Sequence, residues 1–170
     1  MHPLELFRYC PKCGSPRFGE NNFKSKKCAD CGFIYYFNAS AAVAAFITDK
    51  DGQLLVAKRA HEPAKGMLDL PGGFVDLQET GEEALKREIM EETGLLIDRL
   101  QYLFSLPNIY TYSGFDVHVL DLFYRCEIED LSGLRAADDV AELFFIPVKE
   151  ICPELFGLRS IRKAVEIFVI

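Results

Sequence analysis

The 170-residue sequence contains no tryptophan, only three methionines and no internal repeat. It also has no long apolar run, because its most apolar stretch, residues 39–47, is far shorter than the roughly 20 residues of a membrane-spanning helix. Its first residues lack the basic start and apolar middle of a secretory signal, so we expect a cytoplasmic protein without a membrane segment. Basic residues are also outnumbered, 19 against 26 acidic ones, and the formal net charge of -7 argues against nucleic acid or anionic lipid as a partner.

The composition is that of a folded protein, with 49% hydrophobic and 26% charged residues. The length suffices for one domain with a real core and a small appendage. We place the boundary near residue 38, with a ribbon over 1–37 and a larger domain over 38–170.

Four of the six cysteines form two Cys-x-x-Cys pairs, Cys10 with Cys13 and Cys28 with Cys31. A glycine follows each pair, and this spacing lets four thiolates surround one ion. Four thiolates leave no open position for water, so the spacing predicts a structural Zn²⁺ site; disulfides or redox dithiols are the alternatives. We expect Cys126 and Cys152 to be buried structural thiols.

The hydrophobic pattern predicts strands at 41–48, 53–59, 74–75, 95–104, 115–128 and 143–146, and helices at 81–93 and 160–168. The turn at 49–52 predicts that the first two strands form a hairpin. Thr80 with Glu83 predicts a capping box, and Gly94 predicts the helix end. Both faces of 115–128 are largely apolar, so the sheet must be covered on both sides, as in an α/β sandwich.

The predicted helix 81–93 carries a cluster of carboxylates. Glu88 and Glu92 lie one turn apart on the same face, with Glu91 beside them. Like charges repel there, and hard cations such as Mg²⁺ or Mn²⁺ would offset the repulsion. The alternative is a solvated acidic face. The preceding Pro71-Gly72-Gly73 bend lets a carbonyl or a phosphate approach the carboxylates, which favours the metal site.

Residues 73–95 match every fixed position of the Nudix box, Gly-x5-Glu-x7-Arg-Glu-U-x-Glu-Glu-x-Gly-U, where U is a bulky aliphatic residue. The sequence thus resembles the Nudix hydrolases, which use divalent metal to cleave nucleoside diphosphates linked to another moiety. The resemblance implies an α/β (α+β) fold, an α/β/α sandwich with a mixed sheet, preceded here by the small zinc ribbon. The residues that it assigns to catalysis are Glu79, Arg87, Glu88, Glu91 and Glu92. It implies that Gly73 and the last three of these hold Mg²⁺ or Mn²⁺, and that Glu79 pairs with Arg87.

A four-cysteine ribbon ahead of such a domain is similar to the NADH pyrophosphatase group of this family. That resemblance implies hydrolysis of a dinucleotide such as NADH or NAD to AMP and a mononucleotide, with FAD or ADP-ribose as alternative substrates. It implies a further acidic metal ligand at Asp139, with Glu142 as the reserve candidate. The chain departs from the group's Ser-Gln-Pro-Trp-Pro-Phe signature, since it keeps the serine and proline but has no tryptophan. The residues expected to contact the substrate are Ser105, Pro107, Tyr110 and Tyr112.

Other interpretations stay open at this point. A Nudix fold that binds a nucleotide without cleaving it is one alternative, although the intact glutamate cluster argues against it. Removal of a nucleotide cap from RNA is another, against which the acidic net charge argues. The tyrosines could instead pack in the core. The apolar residues 167–170 are compatible with a homodimer.

Overall fold

Nine strands and two α-helices are present in the computed structural model, which describes residues 2–169. The strands are β1 Phe18–Asn22, β2 Ser25–Cys28, β3 Ile34–Tyr36, β4 Ser40–Ile47, β5 Gln53–Arg59, β6 Leu68–Asp69, β7 Arg99–Tyr112, β8 Phe115–Glu127 and β9 Val140–Pro147. The helices are α1 Gly81–Thr93 and α2 Arg159–Phe168, and two short 3-10 helices span Val148–Glu150 and Pro153–Leu155. The chain divides into two units, Met1–Ala39 and Ser40–Ile170.

The first unit is an antiparallel sheet in the order β1-β2-β3. Its hydrophobic cluster is small and consists of Cys10, Phe18 and Cys28, with Phe33 packed against them, and Leu4 is buried as well. So small a core contributes little hydrophobic stabilisation by itself.

The second unit contains two three-stranded sheets, ordered β4-β8-β7 and β6-β5-β9. β4 and β8 run parallel, and the other pairs run antiparallel. Alternate residues of β4 face opposite sides: Val43 and Ala45 pack with α1, whereas Ala44 and Phe46 pack with α2. The predicted mixed α/β fold with helices on both sides is confirmed.

The predicted hairpin of the first two strands is wrong. The turn itself is present, because the Asp49 N–H donates to the Gln53 carbonyl (3.0 Å) and Gly52 has a φ of 74°. β4 and β5 share only the bridge between Thr48 and Leu54, and they then enter different sheets.

The strand expected at 95–104 begins and ends later, as β7. It pairs with β8 in a long hairpin that turns at Ser113 and Gly114. The segment after residue 104, which has no strand prediction, is therefore part of this hairpin, and Pro107 pairs with Leu120 inside it.

Helix α1 has both predicted ends. The Thr80 hydroxyl accepts from the Glu83 N–H, and the Glu83 carboxylate accepts from the Thr80 N–H (2.9 Å). Gly94 ends the helix with a φ of 71°. Its buried face includes Leu85 and Ile89, which pack in the core.

The C-terminal segment is packed in the same unit. Phe168 stacks on Phe46 with ring centroids 4.1 Å apart, so this part of the apolar terminus is covered within the chain. Ile170 lies outside the described residues. Cys126 is buried as predicted, but Cys152 is exposed, because it lies in the loop between the two 3-10 helices.

Within residues 2–169, neither helix has the length and apolar character needed to cross a membrane.

Candidate active site and cysteine cluster

The segment before the box helix is held against β4 by backbone hydrogen bonds. The N–H groups of Val43 and Ala45 donate to the carbonyls of Gly73 (2.8 Å) and Pro71 (2.9 Å), respectively. A Cβ on Gly72 would lie 2.1 Å from the Val43 carbonyl oxygen, and Gly72 has a φ of 142°. Only glycine allows this close approach of two backbones.

Glu92 is attached to the same segment. The Gly72 N–H donates to Oε2 of Glu92 (2.8 Å), and the glutamate is 7% exposed. Burial raises the pKa of Glu92 to about 8, opposed by this hydrogen bond and assisted by the negative charges of Glu88, Asp69 and Asp138.

Glu88 occupies the space beside Gly73. A Cβ on Gly73 would lie 2.6 Å from the Glu88 carboxyl carbon. Burial raises the pKa of Glu88, although the adjacent Arg87 lowers it. The carboxylate of Glu88 thus depends on the missing side chain of Gly73 for its position.

Arg87 connects the loop to the helix. Its guanidinium donates two hydrogen bonds to Glu79, Nε to Oε1 and Nη2 to Oε2, each 2.9 Å long. This is the pairing that the Nudix resemblance implies, and the Arg87 hydrogen bond lowers the pKa of Glu79. Arg87 also donates to Glu88 (2.7 Å), Glu91 (3.2 Å) and the Phe74 carbonyl (3.0 Å). One side chain therefore orients three carboxylates.

The box carboxylates, by which we mean those of Glu88, Glu91 and Glu92, lie in one region but do not converge on a single point. Three or more histidine, cysteine, aspartate or glutamate side chains can hold one metal ion when their potential metal-ligand atoms all lie within 4.8 Å of one another. In the described part of the chain, only the four cysteines form such a group. Glu88 and Glu91 are drawn to Arg87, and Glu92 to the Gly72 amide. These partners separate the carboxylates.

The donor set nevertheless fits a hard divalent cation. Carboxylate oxygens are the ligand type of Mg²⁺ and Mn²⁺. Burial raises the pKa of both Glu88 and Glu92, and a cation beside them would favour their charged forms.

A cavity of about 650 Å³ opens beside these carboxylates, within the usual range of ligand sites. It brings together the predicted residues Gly73, Arg87, Glu88, Glu91, Glu92, Tyr110, Tyr112 and Asp139. Ser105, Pro107 and Glu142 do not line it. Side chains alternate between the two faces of a strand, and the cavity-lining residues of β7 have even numbers, unlike Ser105 and Pro107. Glu142 instead pairs with Lys58 at 3.7 Å.

Sequence reasoning missed several residues of this cavity. Arg59 donates to Asp69 (2.5 Å) and to the Tyr110 hydroxyl (3.1 Å), and all three line the cavity. Asp121 also lines it, accepts a hydrogen bond from Ser160 and is 5% exposed. The sequence held one signal for Asp121, because it is a charged residue among apolar neighbours on one face of its strand.

The cysteine cluster has the dimensions of a tetrahedral metal site. Sγ of Cys10 lies 3.7 Å from Sγ of Cys31, and the same distance separates Cys13 from Cys28. Zinc–sulfur bonds of about 2.3 Å place tetrahedral sulfurs about 3.8 Å apart, whereas a disulfide needs about 2.05 Å. The cluster therefore fits a zinc ribbon.

Comparisons with known proteins agree with this geometry. The model of the NUDIX domain matches residues 39–166. An ADP-ribose pyrophosphatase from Methanocaldococcus jannaschii is 38% identical over 131 residues, which are 75% of this chain and 73% of that protein. The NAD-capped RNA hydrolase NudC of Vibrio parahaemolyticus is 30% identical over 106 residues, which are 62% of this chain and only 40% of that protein.

A solved structure supports the fold. The NUDIX hydrolase from Nitrosomonas europaea has a TM-score of 0.72 at 22% identity, and the match covers 95% of this chain and 90% of that chain. Because the family model matches three quarters of the sequence and the box lies in the matched part, the chain belongs to the Nudix hydrolase family and is a pyrophosphatase.

Proposed function

We propose that the protein hydrolyses the diphosphate bond of an ADP-linked compound and that this reaction depends on Mg²⁺ or Mn²⁺. The observation that carries the proposal is the set of box carboxylates along one side of a cavity of about 650 Å³. The cavity also has aromatic side chains, Tyr110 and Tyr112, that can stack on a base.

In this proposal Glu88, Glu91, Glu92 and Asp139 hold the metal, with the Gly73 carbonyl beside them. The metal would neutralise the diphosphate and lower the pKa of a bound water. The chain's own part is orientation: Arg87 and Glu79 position Glu88 and Glu91, and the Gly72 N–H positions Glu92.

For the fourth acid, Asp139 is preferred over Glu142 because it lines the cavity. His61 lies 3.5 Å from its carboxylate, at the exposed rim. Glu142 belongs to a different region, beside Lys58.

The names of the relatives narrow the substrate class. One is an ADP-ribose pyrophosphatase and another acts on NAD-capped RNA, and both substrates contain an ADP unit. We therefore propose ADP-ribose or the dinucleotides NAD and NADH as substrates, in each case with release of AMP. We propose ADP-ribose as the first candidate, and the greater share of its own length that the ADP-ribose relative matches, compared with NudC, supports this order.

We also propose that residues 1–37 form a structural zinc ribbon and residues 38–170 the hydrolase domain. The division of the chain at Ala39 and the family match from residue 39 support this boundary. The four thiolates leave no open metal position, so the zinc takes no part in the reaction.

The test is a panel of ADP-ribose, NAD, NADH, FAD and an NAD-capped RNA, each incubated with Mg²⁺ or Mn²⁺ and resolved by chromatography. We expect AMP from ADP-ribose or a dinucleotide. We expect Glu92→Gln to lose about 100-fold or more of this activity, because it removes a charged ligand without changing the side chain's shape.

Glu142→Gln is the matched control, since it makes the same chemical change outside the cavity. Asp139→Asn should raise the metal concentration needed for half-maximal activity, and Glu142→Gln should not. If no compound is cleaved but one binds tightly, the protein is a nucleotide sensor and the proposal is wrong.

A further inference from the structure

The cavity has two regions of different chemistry. Its rim is exposed and charged, as at Asp76 and Asp139. Its floor is buried, and six apolar residues of the lining are at most 5% exposed: Val43, Ala44, Ala57, Leu70, Val119 and Ile161. A ligand that reaches from the rim to the floor passes from a polar to an apolar environment.

Asp121 and Asn108 are polar side chains on this floor, 5% and 8% exposed. The Asp121 carboxylate accepts a hydrogen bond from the Ser160 hydroxyl, and Asn108 lies on the neighbouring strand opposite Val119, two residues from Asp121. Within residues 2–169, Asp121 forms no ion pair with a lysine, arginine or histidine, whereas the buried Asp69 is paired with Arg59. Buried carboxylates normally have a charged partner, so Asp121 is unusual.

Asp121 lines the same cavity as the carboxylates of Glu88, Glu91 and Glu92. The cavity volume of about 650 Å³ is that of a site for one small ligand. A nucleotide whose diphosphate lies at these glutamates can therefore extend its nucleoside to the floor.

We propose that Asp121, with Asn108 beside it, binds the amino-bearing edge of the purine base and makes the enzyme prefer adenine to hypoxanthine. The proposal rests on the proposed function, because it places the diphosphate at the box carboxylates. A carboxylate can only accept hydrogen bonds, and the exocyclic amino group of adenine donates them. Hypoxanthine has a carbonyl at that position, which would set two acceptors against each other in a buried site.

The experiment compares two substrate pairs that differ only at this edge of the base, where the amino group becomes a carbonyl and N1 changes from an acceptor to an N–H donor. One pair is ADP-ribose and inosine diphosphate ribose; the other is NAD and nicotinamide hypoxanthine dinucleotide. We expect the wild-type enzyme to favour the adenine member of at least one pair by about tenfold or more in kcat/KM, as for one unmatched buried hydrogen bond.

Asp121→Asn should reduce this preference by about tenfold or more, because the amide of the new side chain can donate to the hypoxanthine carbonyl. Asp116→Asn is the matched control: it makes the same charge change on the same strand, but Asp116 is exposed, does not line the cavity and should leave the ratio unchanged.

The outcomes separate this inference from the function on which it rests. Equal wild-type rates for both members of each pair would leave the proposed function intact and overturn the role of Asp121. A purely structural Asp121 would lower both rates by the same factor in Asp121→Asn, which would also overturn it. If wild type cleaves none of the four compounds, the proposed function and the inference both fail. The wild-type ratio tests the inference even if Asp121→Asn does not fold.

Discussion

At the scale of single residues, the absence of a side chain at Gly73 determines where Glu88 lies. The carbon and both oxygens of the Glu88 carboxylate lie only 2.6 to 2.7 Å from the place that a Cβ on Gly73 would take. We predict that Gly73→Ala lowers kcat/KM by about 10- to 100-fold, because a displaced metal ligand weakens the site. Thermal unfolding should change little, since the group that must move is the end of a flexible side chain.

Gly19→Ala provides the control for this change. A Cβ on Gly19 would meet no atom within 4 Å, so activity and stability should both stay at the wild-type level. Steady-state kinetics with increasing metal would show the effect of Gly73→Ala as weaker metal activation. Unchanged kinetics in Gly73→Ala would mean that Glu88 is not a metal ligand.

The burial of Asp121 leads to a prediction about how stability depends on pH. Burial raises its pKa above the ordinary 3.8, so its stabilising contribution is complete below that pH and is lost as the pH rises through the folded-state pKa. Asp121→Asn resembles the protonated form at every pH. As the pH rises from 3.8 through the folded-state pKa of Asp121, the free energy of unfolding should therefore fall for wild type relative to the variant.

Urea unfolding at several pH values would measure this difference. The comparison with Asp121→Asn isolates one group from the other buried carboxyls, which titrate in both proteins. Parallel stability curves for the two proteins would show that the pKa of Asp121 is not raised by burial.

At the scale of elements, the box works because a loop and a helix are joined by one guanidinium. Arg87 reaches Glu79 and the Phe74 carbonyl before the helix, and Glu88 and Glu91 within it. We predict that Arg87→Lys lowers kcat by about tenfold or more although the positive charge is kept. The reason is that an ammonium group cannot form the bidentate pair of hydrogen bonds that the guanidinium makes with Glu79.

Lys86→Arg is a suitable control because residue 86 is exposed and adjacent in the helix. Circular dichroism should show the same helix content in both variants. Wild-type kcat in Arg87→Lys would show that charge alone suffices and that the geometry of the pairing is not needed.

The elements that the sequence predicted well are those with local signals. Helix α1 has its apolar period, its Thr80–Glu83 capping box and its glycine end within one short segment, so its bounds agree with the prediction. The extent of β7 and the separation of β4 from β5 depend on strand pairing between distant residues. Pro107 further weakened the strand signal in β7.

The residues of the candidate site fall into the same two groups, those with a local sequence signal and those that come together only in the fold. The box residues were found because one contiguous motif contains them all. Arg59 and Tyr110 are 51 positions apart and meet only in the fold, as do Asp121 and Ser160, 39 positions apart. Ser105 was selected by a motif, but strand alternation turns it away from the cavity.

At the scale of the whole molecule, the unit Met1–Ala39 has too small a core to be stable without a metal. We predict about one zinc per chain by elemental analysis, and loss of that zinc in Cys13→Ser. Limited proteolysis of this variant should begin within the first 39 residues.

Cys152→Ser is the control, because Cys152 is exposed and outside the cysteine cluster. It should keep both the zinc and the wild-type proteolysis pattern. If Cys13→Ser also kept them, the cluster would not be a four-thiolate zinc site.

The parallel pairing of β4 with β8 has a consequence for how the protein folds. Ser40 pairs with Val119, so the strand before the box finds its partner only after the whole box has been made. Contacts between such distant residues close a large loop, which makes folding slow compared with a chain of local contacts. A nascent chain that ends before β8 carries every box glutamate but lacks the cavity floor, so we expect activity to emerge only at the end of synthesis.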